Sequence, residues 1–410
     1  MMRFFSRFTA IVAVCMCSVL YLAYILPSLS VKHELKNVWS KSPRRLIVFG
    51  DSWSDNGEYP IDPPSKDLMP SREDAQGKVW TEWLCKSISC SHHDNFARSL
   101  PDSWMVGYKG AVVDSRILNS TINKGKAAEE PLADLKTQVQ QWIRFEKKQY
   151  MSSRIRETEK KGTIFTVWFS LWDLWYYSNK TQAEASKAIE ETVDTLFEQL
   201  DILAKHWDES IKVVMPEAID PTFLPGWLAT RTGPNGNDKN ADDQRNAVLL
   251  VQQWNAALDN KASGWDTEKG ELYIYNTNEW LLDQVREQQL VVGDMADHNG
   301  LGQAGSPWDN VQAGCVGSNE KGHAGSPQTK QGVLRCADPD KYLFWDDMHL
   351  GPEAMKMIGE GIAKDIAENR GDAWFAHEKG KCDGPECDSA TAKVSPGANP
   401  TKRSGYYGNE

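Results

Sequence analysis

The sequence predicts an α/β fold built around a parallel sheet, and two kinds of segment predict it. A short, wholly apolar run of the kind that forms a buried parallel strand stands at 46–49 (LIVF), and similar, mostly apolar runs follow at 163–169 (TIFTVWF), 211–216 (IKVVMP) and 271–276 (ELYIYN). Between them, apolar residues repeat every three or four positions, as in amphipathic helices, at 131–148, 182–207, 241–258 and 352–369. Strands that alternate with helices pair in parallel through right-handed crossovers.

The composition is that of a globular protein and argues against a nucleic-acid partner. The 410 residues carry a formal net charge of −11, and no basic stripe stands out that could neutralise phosphates. The 17 tryptophans are unusually many. They either fill the core, as large aromatic side chains generally do, or offer stacking surfaces for sugars.

The N-terminus predicts entry into the secretory pathway. Arg3 and Arg7 precede an uncharged, mostly apolar stretch from Thr9 to Pro27, which is just long enough to span a bilayer. We interpret residues 1–27 as an uncleaved signal anchor, with a cleaved signal peptide as the alternative. The expected contact with a membrane is therefore through this segment.

Two further segments flank the expected folded domain. Residues 28–45 are polar and basic, and they predict a stem that ends in Arg44-Arg45, which is either a dibasic processing site or a solvated linker. From residue 379 to residue 410 the chain is rich in Gly, Pro, Ser and Lys, which predicts a disordered tail.

Within the expected domain, the stretch 293–335 is rich in Gly, Ser and Asn and predicts a long loop.

Outside the N-terminal segment, the cysteines form three near-neighbour couples, which predicts local disulfides in an oxidising compartment. The expected pairs are Cys85–Cys90, Cys315–Cys336 and Cys382–Cys387, although six cysteines allow other connectivities. The sequons at Asn119 and Asn179 predict glycosylation of a luminal domain. The cysteines lack zinc-site spacing and His92-His93 lack further ligands, so no metal site is predicted.

A candidate nucleophile directly follows the first predicted strand. The segment GDSWSDNG (50–57) places Ser52 two residues after a glycine, where a tight turn can hold the hydroxyl at the carboxyl edge of a parallel sheet. A serine hydroxyl requires a base within hydrogen-bond reach. Asp51 and Asp55 flank the serine, and we expect them to be structural hydrogen-bonding residues of the turn.

The segment FWDDMH (344–349) supplies the candidate base. Asp346 and His349 stand three residues apart, just before a helix that Pro352 can begin, so both side chains can point the same way. The carboxylate can then fix one imidazole tautomer while the other ring nitrogen faces Ser52. The sequence therefore predicts a catalytic triad of Ser52, His349 and Asp346.

These two segments resemble the first and last conserved blocks of the GDSL or SGNH hydrolases. GDSWSDNG is similar to the nucleophile block, and FWDDMH, preceded by CADPDKY (336–342), is similar to the terminal block. The resemblance covers about residues 46–370, in the order of the family. It implies a flavodoxin-like three-layer α/β/α fold, a catalytic domain over residues 46–378, and ester hydrolysis through an acyl-enzyme without a metal or organic cofactor.

The two middle blocks of the family are matched less closely. NFARS (95–99) and KGAVVDS (109–115) resemble the two parts of its N-x-A-x-x-G-A block, which makes Gly110 the candidate whose backbone N–H, with that of Ser52, faces the oxyanion. The family's Gly-x-Asn-Asp block appears as Ser170-Leu171-Trp172-Asp173. Trp172 thus replaces the asparagine that donates to the oxyanion, and an indole N–H is also a donor. We expect Trp172 at the active site; the alternative is a core position.

The resemblance implies an ester substrate but leaves its identity open. Members of the family act on lipids, short-chain esters and acetylated polysaccharides, and the secretory address with the tryptophan content favours a carbohydrate O-acetyl ester. One alternative is a polysaccharide O-acetyltransferase, since some of these share Gly-Asp-Ser and D-x-x-H. Another is a weakly catalytic glycan-binding or cell-wall protein, which the departures at Ser170 and Trp172 favour.

Overall fold

The computed structural model describes eleven stretches of the chain, namely residues 44–58, 73–99, 110–122, 134–151, 162–178, 180–207, 210–227, 239–265, 268–293, 305–317 and 335–368. The N-terminal segment 1–27, the tail 379–410, the Cys382–Cys387 pair and Asn179 lie outside them. Asn119 lies in a described helix, and its glycosylation stays a prediction. In these stretches no helix is both long and apolar enough to cross a membrane.

A five-stranded, all-parallel sheet lies at the centre of the fold, in the order β2-β1-β3-β4-β5. Its strands are β1 (Arg44–Gly50), β2 (Cys90–Asn95), β3 (Thr163–Trp168), β4 (Ile211–Pro216) and β5 (Gly270–Tyr275). Every residue of β3 is buried, and so is β1 from its second residue onward, as expected for strands covered on both faces. This strand order is the flavodoxin-like one.

Helices flank the sheet and complete the three-layer α/β/α arrangement, which confirms the predicted fold class. The helices are α1 (Trp80–Ser87), α2 (Ser115–Ile122), α3 (Leu135–Met151), α4 (Leu171–Tyr177), α5 (Gln182–His206), α6 (Lys239–Gly264), α7 (Thr277–Val292) and α8 (Pro352–Glu368). Helix α1 packs against α8, whereas α5 packs against α3 and α6. The start of α5 is fixed by a capping box, in which Thr181 and Glu184 each accept a hydrogen bond from the other's backbone N–H.

A separate pair of short parallel strands, β6 (Asn310–Gly314) and β7 (Tyr342–Phe344), leads into the segment that carries Asp346 and His349. The predicted loop over 293–335 is therefore wrong for residues 310–314. Among the described residues, this strand pairs with residues some thirty positions further along, and its short sequence has no apolar run that would reveal it. The Cys315–Cys336 disulfide lies next to this pair of strands, and the Cys85–Cys90 disulfide joins the end of α1 to the start of β2, which confirms both predicted pairs.

The structure corrects two predicted boundaries, the start of strand β1 and the start of helix α3. Strand β1 begins at Arg44, so residues 44–45 belong to the sheet, and the predicted solvated stem is wrong there, whereas processing at this pair stays a prediction. Arg45 is 2% exposed, and its guanidinium pairs with Asp94 and Glu146. Helix α3 begins at Leu135 rather than at residue 131, because the Asp134 carboxylate accepts the N–H of Thr137 in the first turn. Pro131 lies outside the described residues.

Most tryptophans of the described stretches belong to the core. None is exposed, and only Trp83, Trp175 and Trp280 are half-buried. The buried ones are Trp53, Trp80, Trp142, Trp168, Trp172, Trp207, Trp227, Trp254, Trp265, Trp308 and Trp345. Their number therefore reflects packing in the described part of the chain, and it gives no support there to sugar-stacking surfaces.

Candidate active site

The order of the strands predicts a ligand site at the carboxyl ends of β1 and β3. The chain continues from β1 to β2 on one side and later to β3 on the other, so the strand order reverses between β1 and β3. Ligands of open α/β sheets bind at such a switch point. The last rung of this strand pair joins Gly50 to Trp168. Ser52 and Trp172 follow these two residues by two and four positions, so both lie at this edge.

Ser52, His349 and Asp346 form a continuous hydrogen-bonded array at this edge of the sheet. Nε2 of His349 lies 2.9 Å from Oγ of Ser52, across 297 positions of sequence. Nδ1 of His349 lies 2.9 Å from each carboxylate oxygen of Asp346. The carboxylate can only accept, so it favours the tautomer with hydrogen on Nδ1, which leaves Nε2 to accept the hydroxyl proton of Ser52. The structure thus brings together the three residues singled out in the sequence.

The Asp346 carboxylate is itself held by the backbone. Its Oδ1 accepts the N–H groups of Met348 and His349, both at 2.8 Å. The turn from 346 to 349 is therefore closed by the same carboxylate that contacts the imidazole. The D-x-x-H spacing therefore has two roles. It supplies the carboxylate and the imidazole, and it lets the carboxylate close the turn that carries them both.

The two other aspartates of the nucleophile turn have structural contacts, as the sequence predicted. Oδ1 of Asp51 accepts the N–H of Trp53 at 2.9 Å, and Oδ2 of Asp55 accepts the N–H of Ser99 at 2.6 Å. Burial raises the pKa of Asp51 to about 7, against the lowering by the Trp53 N–H and by nearby His349. The Asp55 contact fastens the nucleophile turn to the segment that leads toward Gly110.

Three supporting residues were not predicted. The side-chain amide of Gln138 accepts the N–H of Gly50 at 3.0 Å and donates to its carbonyl oxygen at 2.8 Å, which fixes the end of β1. Nδ2 of Asn95 donates to the carbonyl oxygen of Ser54 at 2.7 Å. The indole N–H of Trp53 donates to the carbonyl oxygen of Met348 at 2.9 Å. A side chain that binds a distant backbone group leaves no pattern in the sequence, so these contacts could not have been read from it.

Gly110 lies against both Ser52 and Trp172. A Cβ at this position would overlap Nε1 and Cδ1 of the indole and would lie 3.0 Å from Oγ of Ser52. The close approach therefore requires glycine. Among the described residues, no hydrogen bond uses the backbone N–H of Ser52 or of Gly110. Both candidate oxyanion donors are thus near the nucleophile and unengaged within the described part of the chain.

Trp172 is at once buried and part of the site. It is 1% exposed, and its Nε1 donates to Oγ of Ser52 at 3.2 Å. The two alternatives drawn from the sequence, a residue of the site or a residue of the core, therefore do not exclude each other. The indole hydrogen bond is directed at the serine oxygen, which the sequence did not predict.

The neighbouring Asp173 connects α4 to the segment that carries Gly110. Its Oδ1 accepts the N–H of Val113 at 3.2 Å, whereas its buried Oδ2 has no hydrogen-bond partner in the described stretches. Burial raises the pKa of Asp173 to about 8, a rise that Asp51 increases and the Val113 N–H opposes.

No cluster of three or more His, Cys, Asp or Glu suited to a metal ion occurs among the described residues.

A flavodoxin-like sheet that carries a hydrogen-bonded serine, histidine and aspartate at its switch point is typical of an α/β serine hydrolase. Within this class, the chain belongs to the GDSL-like Lipase/Acylhydrolase family, which it matches over residues 46–362. The family resemblance inferred from GDSWSDNG and FWDDMH is thereby confirmed, and the chain is a carboxylic ester hydrolase. No curated protein matches the chain significantly.

Proposed function

We propose that the chain hydrolyses carboxylic esters through an acyl-enzyme on Ser52, with His349 as the base and Asp346 as the residue that orients and stabilises its imidazole. The observation that carries the proposal is the array Asp346–His349–Ser52, in which each step is a hydrogen bond of 2.9 Å. A serine hydroxyl is a weak nucleophile, and an imidazole at this distance can remove its proton as the bond to carbon forms.

In the proposed reaction, Oγ of Ser52 attacks the ester carbonyl while its proton passes to Nε2 of His349. The negative charge that develops on the carbonyl oxygen is stabilised by the backbone N–H groups of Ser52 and Gly110. His349 then gives its proton to the leaving alcohol. Water, deprotonated by the same imidazole, attacks the acyl-enzyme, and Ser52 regains its proton when the acid departs.

We propose a small acyl group, such as acetyl, for the substrate. The indole of Trp172 lies 3.2 Å from Oγ of Ser52 and packs against Gly110, so it fills space on one side of the nucleophile. The secretory address expected from the sequence keeps a carbohydrate O-acetyl ester as the proposed physiological substrate. Because the tryptophans of the described stretches are mostly buried, they give no further support for a carbohydrate substrate.

The test combines a fluorophosphonate probe with hydrolysis of p-nitrophenyl acetate. The wild-type chain should be labelled and should release p-nitrophenol, whereas Ser52→Ala should lose labelling and about 1000-fold or more of kcat/KM. Ser263→Ala, at an exposed position on α6, is the matched control and should behave as wild type. Labelling that survives in Ser52→Ala would refute the assignment of the nucleophile. Acetylated xylan, assayed with and without an acceptor glycan, separates hydrolysis from acetyl transfer.

A further inference from the structure

The nucleophile oxygen has two hydrogen-bond partners. Its own proton is directed to Nε2 of His349 at 2.9 Å, and it accepts the indole N–H of Trp172 at 3.2 Å. The indole contact is buried, since Trp172 is 1% exposed. A hydrogen bond to a group that gains charge is stronger than one between neutral groups, and more so away from water. The indole N–H is therefore placed to act on the serine oxygen whenever that oxygen carries negative charge.

Neighbouring residues hold the indole in this position. Helix α4 begins at Leu171, with two residues between it and the end of β3, and Asp173 fastens it to the segment 110–113 through the N–H of Val113. Gly110, in the same segment, packs against the ring itself, and a Cβ there would overlap Nε1 and Cδ1 of the indole. Because the ring is 1% exposed and packs against this backbone, its N–H has little freedom to turn toward another acceptor.

We infer that Trp172 stabilises Oγ of Ser52 as nucleophile and as leaving group, instead of donating to the carbonyl oxygen of the substrate. The inference rests on the proposed acyl-enzyme function. As the proton of Ser52 moves to His349, negative charge grows on Oγ until the bond to carbon forms, and the indole N–H stabilises it. In deacylation the bond from carbon to Oγ breaks, Oγ takes back the electron pair and then the proton of His349, and the same N–H assists. The indole keeps its own proton throughout.

This role has a consequence that a carbonyl-oxygen donor does not share. For an ester with a good leaving group, attack by Ser52 limits the rate, and the charge on Oγ is exposed to the indole. For an ester of a simple alcohol, expulsion of the alcohol limits the rate, and Oγ is by then an ether-like oxygen with little charge. Loss of the indole N–H therefore slows the first reaction and hardly affects the second. A donor to the carbonyl oxygen would be needed equally in both.

The experiment compares p-nitrophenyl acetate with ethyl acetate in Trp172→Phe. We expect kcat/KM for the aryl ester to fall about tenfold or more and that for the ethyl ester to fall less than about threefold. Trp142→Phe is the matched control, because Trp142 is also 1% exposed and its indole N–H has no partner among the described residues. Its ratio of aryl to ethyl ester activity should equal that of wild type.

Equal losses with the two esters, or no loss with either, would overturn the inference and leave the proposed function intact. A wild-type chain that cleaves neither ester would instead refute the proposed function. If Trp172→Phe fails to fold, site-specific 3-benzothienylalanine, an indole isostere with sulfur in place of N–H, keeps the shape of the ring. The same selective loss for the aryl ester is then expected, and equal losses again contradict it.

Discussion

Trp53 and Met348 are joined by a hydrogen bond from the indole N–H to the carbonyl oxygen, 2.9 Å long, across 295 positions of sequence. Trp53 directly follows Ser52, and Met348 directly precedes His349. The bond therefore links the backbones of the nucleophile turn and the histidine turn one residue away from the reacting groups. The ring of Trp53 also packs edge-on against Trp168, which terminates β3.

Replacement of Trp53 by Phe should make the distance between Oγ of Ser52 and Nε2 of His349 more variable. The variant keeps an aromatic ring but leaves the Met348 carbonyl without its buried donor, so the free energy of unfolding should fall by about 1–3 kcal/mol. We expect kcat/KM to fall about fivefold or more, since a serine hydrolase depends on the alignment of these two groups. Denaturant unfolding and ester kinetics measure the two effects, with Trp142→Phe as the comparison. Full activity in a destabilised Trp53→Phe would show that the bond contributes to folding alone.

Gly314 should be required for the position of Asp346. A Cβ at residue 314 would lie 2.8 Å from both Cα and C of Asp346, so Gly314→Ala must displace the backbone that carries this carboxylate. We expect kcat/KM to fall about tenfold and the free energy of unfolding to fall by about 1–3 kcal/mol. Gly317→Ala adds the same methyl group nearby, where a Cβ would meet nothing within 4 Å. Wild-type kinetics in both variants would disprove the positioning role of Gly314.

The Cys315–Cys336 disulfide should matter more for activity than the Cys85–Cys90 disulfide. The N–H of Cys315 binds the carbonyl of Phe344 at 3.0 Å, and the N–H of Val316 binds that of Trp345 at 2.7 Å, so the bridge supports the strand that delivers Asp346. Its 21-residue separation also constrains the unfolded chain, an effect of about 3 kcal/mol. The double Cys→Ser variants of each pair, compared by kcat/KM and thermal unfolding, test this. A larger activity loss on removal of Cys85–Cys90 would contradict the expectation.

The buried carboxyl of Asp173 should make the stability depend on pH. Its pKa is raised to about 8 by burial, whereas an unfolded aspartate titrates near 4. Between these values the folded chain binds more protons than the unfolded one, so its contribution to stability is present at pH 4 and is lost as pH rises toward 8. Asp173→Asn keeps an acceptor for the Val113 N–H but cannot ionise. Unfolding at several pH values should show the variant gaining on wild type as pH increases; a difference independent of pH would refute the assignment.

The sequence predicted those parts of the fold and site that depend on local pattern. Of the four strands predicted from apolar runs, β1, β3 and β4 are buried almost throughout, as their composition indicates, whereas β5 lies at one edge of the sheet and is half-buried at Glu271, Ile274 and Tyr275. Strand β2 was missed because it lies at the edge of the sheet, where Ser91 and His92 are exposed and no apolar run is needed. Helix α4 was missed because its seven residues follow β3 with only a short break.

At the site, motif chemistry identified Ser52, Asp346 and His349, which the fold brings into hydrogen-bond contact. The supporting contacts could not be predicted from the sequence, because the pattern around Gln138 is that of an ordinary polar residue in an amphipathic helix. In the structure it is 0% exposed and holds both polar groups of Gly50. The direction of the Trp172 N–H likewise depends on how closely Gly110 approaches it, and that distance is a property of the folded chain.

The packing of α8 against α1 has a consequence for biosynthesis. The nucleophile is made early, whereas the imidazole and the helix that follows it are made almost three hundred residues later. Under the proposed mechanism, a nascent chain that already displays the serine turn has no base for it until α8 can dock on α1. Contacts between such distant segments form late and slowly, because a long loop must close first. If the proposed triad carries the reaction, ester cleavage reports completed folding, and we expect an unfinished chain not to cleave the esters around it.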